Sequence, residues 1–184
     1  MNPRPSLSIG VVGCGTITYW THLRTLASLR NVRVAGLADP DPDALARARL
    51  LVDSQIFSDP DVLLAIKYID AVVIASPAGL HAKHFLAACT AGKHVYLEKP
   101  LAHNAIELSA IQNCIEGTSL VIAIGHNYRF HPACQRLRQQ LIAGSIGKVR
   151  AIFSNFTEPC EVESMPGWKR DRRNGGGVLL DLAT

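Results

Sequence analysis

Four groups of residues combine useful chemistry with a repeated placement. Gly13-Cys14-Gly15 can bring backbone N–H groups close to a phosphate, and Asp39 can accept hydrogen bonds from two neighbouring hydroxyls. Ser76-Pro77, with His81 shortly after, makes a stiff polar turn, and Glu98-Lys99-Pro100 sets an acid beside a cationic donor. Each group follows a short apolar run, at 7–12, 32–38, 71–75 and 94–97. If those runs are buried parallel strands joined by helices, all four groups lie on one rim of one sheet. That rim is where open α/β sheets bind ligands.

Each group admits a functional and a plainer structural reading. Gly13-Cys14-Gly15-Thr16-Ile17-Thr18 matches the first two glycines of G-x-G-x-x-G/A and has Thr18 at the third position. The first glycine allows a tight turn, and the second allows a pyrophosphate to approach the following helix N-terminus. Glycine-rich turns also serve as ordinary strand-to-helix connections, and Thr18 argues against close packing of that helix. Asp39 lies 21 residues after Thr18, near the offset of a ribose-binding acid, and its charge would repel a 2′-phosphate. NAD is therefore expected in preference to NADP; the plainer reading of Asp39 is a turn before Pro40. His81 could point toward the cofactor or be a structural histidine at a helix start. Glu98 and Lys99 must face solvent as a surface pair of little worth or work in a site. A lysine there could hydrogen-bond a substrate oxygen or take part in proton transfer. Asp181 sits in an apolar segment after Gly175-Gly176-Gly177 and needs a partner if buried.

The elements needed to position these groups can be read from periodicity. Up to about residue 124 the chain alternates apolar runs with helical stretches, the pattern of right-handed β-α-β units. Trp20, Leu23 and Ala27 share one helical face, as do Ala82, Phe85, Leu86 and Cys89, and then Leu108, Ile111 and Ile115. Gly92 and Gly117 stand at expected helix C-caps, and Asn104 with Glu107 has capping-box spacing. The Asp-Pro steps at 39–42 and 59–60 favour turns. A further strand is expected over 120–124. Beyond it the rhythm changes to a helix over 132–143, a turn at 144–147 and a β-rich stretch over 149–156. The expected fold class is α/β: a Rossmann-type doubly wound parallel sheet over 6–125, then the beginning of an incomplete α+β domain over 126–184.

Composition narrows the function classes. The chain has 184 residues, 48% hydrophobic content and a formal net charge of +4, which fits a globular protein with a substantial core. No apolar run reaches the roughly 18 residues of a membrane span, and no signal-peptide pattern precedes the first strand, so a cytoplasmic location is expected. Five dispersed cysteines without a Cys-x-x-Cys pair read as reduced thiols, mostly in the core. His81 and His84 lack a third ligand nearby, so no metal is expected. The basic stretch 169–173 is broken by an acid and has no aromatic series, so nucleic acid is not expected as a partner.

Taken in order, GCGTI, ADPDP, SPAGLH, AGKHVYLEKPLA, NYRFHP, GSIGKVR and GGGVLLDLAT resemble the glucose-fructose oxidoreductase, inositol dehydrogenase and MocA (Gfo/Idh/MocA) family over almost the whole chain. The resemblance implies an NAD-dependent dehydrogenase acting on CH–OH groups of a sugar, cyclitol or related hydroxy compound, and a homo-oligomer for the full-length form. It implies that Gly13, Gly15, Thr16 and Ile17 form the pyrophosphate turn and that Asp39 binds the adenosine ribose. Ser76, Pro77 and His81 would line the cofactor, and Glu98 and Lys99 would stand near the nicotinamide and substrate. Tyr128 and Arg129 would border the substrate site, Trp168 and Lys169 would approach the nicotinamide, and Asp181 would be the acid of an acid–histidine catalytic pair. Lys99 and Asp181 are thus the catalytic candidates. Ala78 stands where the family commonly has asparagine, and Thr18 where it has a small residue. The histidine of the pair would fall at position 185, which implies a C-terminally truncated member with weak or no turnover. A non-catalytic NAD-binding or sensor module is the alternative, and an adenosyl-methionine methyltransferase leaves Glu98-Lys99-Pro100 without a task.

Overall fold

The computed structural model of the chain describes residues 6–155, 166–172 and 176–177. The chain divides into two compact units, 1–125 with 167–184, and 126–166. The sequence reading had placed all of 126–184 in the second domain, whereas the described residues after 166 group with the first unit.

The first unit is built on six parallel strands: β1 (Leu7–Val12), β2 (Val32–Ala38), β3 (Gln55–Phe57), β4 (Ala71–Ile74), β5 (His94–Leu97) and β6 (Ile122–Ile124), in the order β3-β2-β1-β4-β5-β6. The order reverses between β1 and β4, which opens a crevice above their C-terminal ends. The strand β3 has no clear mark in the sequence. It is three residues long, carries Gln55, and pairs only with β2 at the sheet edge.

Alternating residues of the strands feed two cores. Val12, Val72, Ile74, Val95 and Leu97 pack with Leu63, Phe85 and Ile111 from α3 (Pro60–Leu64), α4 (His81–Thr90) and α5 (Ala105–Glu116). Ile9, Val11, Val34, Leu37 and Val73 pack with Leu23 of α1 (Leu23–Ser28) and with Leu45 and Ala48 of α2 (Pro42–Arg49). Each large side chain so buried contributes roughly 1.5–3 kcal/mol. This is the doubly wound parallel sheet expected from the sequence.

Local signals resolve in particular ways. Two of the three Asp-Pro steps start helices, and Asp39-Pro40 forms a bend: the Asp41 carboxylate accepts the Asp43 N–H and the Asp59 carboxylate accepts the Asp61 N–H, each at 2.9 Å, with proline at the first helical position. Asn104 caps α5 by accepting the Glu107 N–H at 2.9 Å. Gly92 follows α4 in the left-handed region at φ 70°. Gly117 ends α5 with φ −93°, so its role there needs no left-handed backbone.

The first helix departs from the expected face. Helical backbone starts at residue 16, but Thr18–His22 form a π-helical segment ahead of α1. The wider turn buries Thr18 and Leu23, five residues apart, while Trp20 and Ala27 face outward. Thr18 fits against the strand because its hydroxyl donates to the Gly13 carbonyl at 2.6 Å, so the third-position doubt is answered by a hydrogen bond. On α5 the buried side chain is Ile111, and Leu108 and Ile115 are exposed.

At the base of the sheet, Lys93 is 5% exposed and its Nζ donates to the carbonyls of Ile66 and Ile69 at 2.7 and 2.8 Å. Burial lowers its pKa, partly countered by the Asp70 charge. Among the described residues, no helix is long and apolar enough to cross a membrane. Of the described cysteines Cys14 is buried, Cys89 and Cys114 are half-buried and Cys134 is exposed, all four as free thiols; Cys160 lies outside the described residues.

The second unit contains a 3₁₀ turn (Asn127–Phe130), α6 (Pro132–Ile142) and a turn with Gly144 and Gly147 at positive φ. The β-rich stretch expected over 149–156 forms no strand in 149–155, where no segment among the described residues supplies a hydrogen-bonding ladder. A strand-like composition needs a partner strand to become a strand.

Gly13 decides how β1 meets β4. Its φ is +92°, and a Cβ there would lie 2.5 Å from the Ser76 nitrogen and 2.6 Å from the Ala75 carbonyl carbon. Gly13→Ala is expected to cost at least about 3 kcal/mol from backbone strain and overlap together. That loss should appear as a fall in Tm of roughly 6 °C or more; an unchanged melting curve would contradict the packing described.

Candidate functional site

The rim of the sheet is organised by one backbone hydrogen bond for each pair of neighbouring strands. Gly13 donates to the Ala38 carbonyl, Asp39 to Phe57, Ala75 to Val12, Glu98 to Ile74 and Gly125 to Leu97, at 2.8–3.1 Å. Each group singled out by its chemistry therefore begins where a neighbouring strand ends.

The glycine turn and Asp39 are brought into contact. The Asp39 carboxylate accepts the Cys14 N–H at 2.6 Å through Oδ2 and the Asp41 N–H at 2.9 Å through Oδ1. Burial, then the Asp39 charge, push the Cys14 thiol up to about 12, so this cysteine is an inert core group. Gly15, Thr16 and Ile17 are exposed at the helix start, and a Cβ on Gly15 would meet nothing within 4 Å. These features fit a dinucleotide: a bare helix N-terminus faces open space, with a carboxylate beside it.

The turn after β4 contains a 3₁₀ segment (Ala78–Leu80) and is stiffened from within. Ser76 is 8% exposed, and its hydroxyl is hydrogen-bonded to His84 Nδ1 at 2.9 Å. Burial, then the Lys83 charge, lower the His84 pKa. His81 is 2% exposed, with Nδ1 2.7 Å from the Pro100 carbonyl and Nε2 2.8 Å from the Ser76 carbonyl. The Ser76 and His81 side chains are turned inward and brace the loops after β4 and β5, so what these two positions offer a ligand is backbone. Pro77 remains half-exposed at the turn, and Ala78 is buried.

Glu98 and Lys99 lie half-buried at the end of β5, and the Lys99–Pro100 peptide bond is cis. Glu98 Oε1 is 2.9 Å from His22 Nε2, and Oε2 accepts the Lys99 backbone N–H at 3.1 Å. Burial pushes the Glu98 pKa up, but the hydrogen bond and charge of His22, the Lys99 N–H and the Lys99 charge together hold it below 4.5. The ionised carboxylate thus stabilises the fold above the ordinary glutamate pKa, and that contribution fades as pH falls through the lowered value. Tyr96 packs edge-on against His22, with ring centroids 5.5 Å apart, and burial followed by the Glu98 charge raises its pKa. Gly125 lies close under this cluster: a Cβ there would lie 2.9 Å from Tyr96 Oη and 3.0 Å from Glu98 Oε2, so both side-chain ends would have to shift.

His22, Tyr96 and Gly125 are site residues that sequence reasoning missed. His22 reaches Glu98 only through the π-helical turn, which no spacing rule marks. Gly125 carried a signal, since it too directly follows an apolar run. Tyr128 and Arg129 fall in the 3₁₀ turn of the second unit. Lys169 lies on α7 (Gly167–Arg170), its ammonium 5.5 Å from the Trp168 ring. Asp181 lies outside the described residues. Among the described residues, no group of three or more His, Cys, Asp or Glu side chains could hold a metal ion.

Comparison with known proteins agrees with this geometry. The chain is 31% identical over 177 residues to dTDP-3,4-didehydro-2,6-dideoxy-alpha-D-glucose 3-reductase of Streptomyces violaceoruber, covering 96% of this chain and 51% of that protein. The 3-ketoreductase KijD10 from Actinomadura kijaniata, solved with NADP and TDP-benzene, superposes with TM-score 0.85 at 27% identity over 96% of this chain and 54% of that one. Myo-inositol dehydrogenase from Lactobacillus casei, solved with NAD(H) and myo-inositol, superposes with TM-score 0.72 at 29% identity over 77% of this chain and 43% of that one. The chain thus spans about half the length of the relatives it matches. A family model described as "Oxidoreductase family, NAD-binding Rossmann fold" matches residues 7–126, the stretch that contains the whole rim. With its sheet order, glycine turn and rim acid all in agreement, the chain belongs to the Gfo/Idh/MocA oxidoreductase family.

Proposed function

We propose that this chain carries the cofactor site of an NAD-dependent dehydrogenase, which transfers hydride between the nicotinamide and a CH–OH group of a sugar, cyclitol or related hydroxy compound. The observation that carries the reading is the joining of Asp39 to the glycine turn at 2.6 Å, directly beside a helix N-terminus open to a ligand. The backbone N–H groups of Gly15, Thr16 and Ile17, all exposed residues, would hold the pyrophosphate, where the helix dipole favours negative charge. The Asp39 carboxylate would accept hydrogen bonds from the adenosine ribose hydroxyls, and its negative charge disfavours a 2′-phosphate, hence NAD over NADP. Relatives solved with NAD(H) and with NADP show that both cofactors occur among similar proteins.

When bound, the nicotinamide supplies the two-electron hydride acceptor or donor. Lys99 would donate a hydrogen bond from Nζ to the substrate oxygen, stabilising negative charge there as the C–H bond breaks. Glu98 would border the same site. Tyr128 and Arg129 would contact the substrate, and Asp181 would orient the base that takes the hydroxyl proton. The substrate is a small polyol or sugar, in keeping with the names of the relatives, and a full-length form would be a homo-oligomer.

Two measurements test this reading. Titration with NAD, followed by calorimetry, should give saturable binding that Asp39→Ala weakens at least about tenfold, the loss expected for charge-assisted hydrogen bonds. NADP binding should be weak in the unaltered chain and no weaker in the variant; tighter binding of NADP than NAD by the unaltered chain would sink the NAD assignment. In a full-length form assayed with myo-inositol and a panel of sugars, Lys99→Ala should lower kcat by about a hundredfold or more and leave NAD affinity nearly unchanged. A comparable loss of both would reject Lys99 as the charged donor.

A further inference from the structure

Lys99 stands between two residues that are each held by a histidine from another element. On one side Glu98 faces His22 Nε2 at 2.9 Å and accepts the Lys99 N–H at 3.1 Å. On the other side the Pro100 carbonyl faces His81 Nδ1 at 2.7 Å, and the same ring reaches the Ser76 carbonyl at 2.8 Å. We propose that His22 and His81 are positioning residues that clamp the Lys99 backbone from both sides and so set the direction of its ammonium group.

The inference deepens the reading of Lys99 as the charged donor and rests on it. A lysine side chain has four rotatable carbons, so its reach is aimed only as well as its backbone is fixed. A misplacement of about 1 Å at a reacting centre can cost about a hundredfold in rate. His22 ends the π-helical segment Thr18–His22, and the extra residue in that turn brings its ring over the end of β5, where Tyr96 packs against it edge-on. Gly125 leaves room for this cluster, since a Cβ there would press on both Tyr96 and Glu98. His81 bridges two loops that end neighbouring strands, β4 and β5. Carbonyl oxygens only accept, so a ring nitrogen bonds the carbonyl it faces by donating its N–H. His81 is buried and His22 has committed Nε2 to Glu98, so each ring acts on its loop.

Paired substitutions separate positioning from bulk packing. The amide nitrogen of glutamine lies near the place of histidine Nε2, and that of asparagine near Nδ1. Thus H22Q keeps the donor to Glu98 and H22L removes it, while H81N keeps the donor to Pro100 and H81Q keeps only the one to Ser76. In amide nitrogen–proton spectra of the ¹⁵N-labelled chain, the Lys99 signal should move in H22L and return toward its original place in H22Q. The Leu101 signal should move in H81Q and return in H81N. In the full-length form H22L and H81Q should lose about tenfold or more in kcat with NAD affinity kept, and H22Q and H81N should recover most of the loss. An unmoved Lys99 amide in H22L, or equal shifts in H81N and H81Q, would overturn the clamp; the glutamine and asparagine variants keep the comparison open if a partner variant unfolds. If the amide signals follow this pattern while turnover in K99A equals that of the unaltered enzyme, the clamp stands and the assignment of Lys99 falls.

Discussion

A line of backbone hydrogen bonds across the ends of the strands governs the molecule. Gly13, Asp39, Ala75, Glu98 and Gly125 each donate to the last carbonyl of the strand beside them, so all five chain segments leave the sheet at one level. Parallel pairing makes this possible, because every strand points its C-terminus the same way. The tightest point is Gly13, whose backbone lies against the Ala75–Ser76 peptide with no room for a side chain. There the strand order reverses, and the first helix starts beside open space.

Two kinds of polar bonding then set the rim. On the glycine-turn side a carboxylate is satisfied by backbone N–H groups from Cys14 and Asp41, which ties the end of β2 to the turn after β1. On the lysine side, histidines connect loops through Glu98 and through the carbonyls of Ser76 and Pro100. Buried polar groups are costly when unpaired, and here the Asp39–Cys14, His22–Glu98 and His81–Pro100 pairings link segments distant in sequence. The cost of burial is thereby turned into precise spacing between loops. Lys93 does the same at the opposite end of the sheet, where its ammonium gathers two carbonyls of the turn before β4.

The fold was legible wherever a local rule and the tertiary packing agreed. The bounds of β1, β2 and β5 follow from mostly apolar runs, because strands covered on both faces need little polar alternation. The edge strand β3 was not legible, since one neighbour and three residues leave little pattern. The stretch 149–155 shows the opposite failure: β-forming residues without a ladder beside them remain outside any strand. Asp39-Pro40 bends as its turn signal predicts, whereas Asp41-Pro42 and Asp59-Pro60 start helices, because the same carboxylate that makes a turn also caps a helix.

Residue order alone established the architecture, the placing of Gly13, Gly15, Asp39 and Lys99 at strand ends, and the family resemblance, because these depend on composition and spacing along the chain. Packing in three dimensions settled which side chains face outward. The Ser76 and His81 side chains were buried in bonds between the rim loops, Thr18 bonded to Gly13, and the π-helical turn delivered His22 to Glu98. Such contacts join residues up to 76 positions apart. They depend on the rotation of a helix and on the register of strands, and neither can be read from a local run of letters.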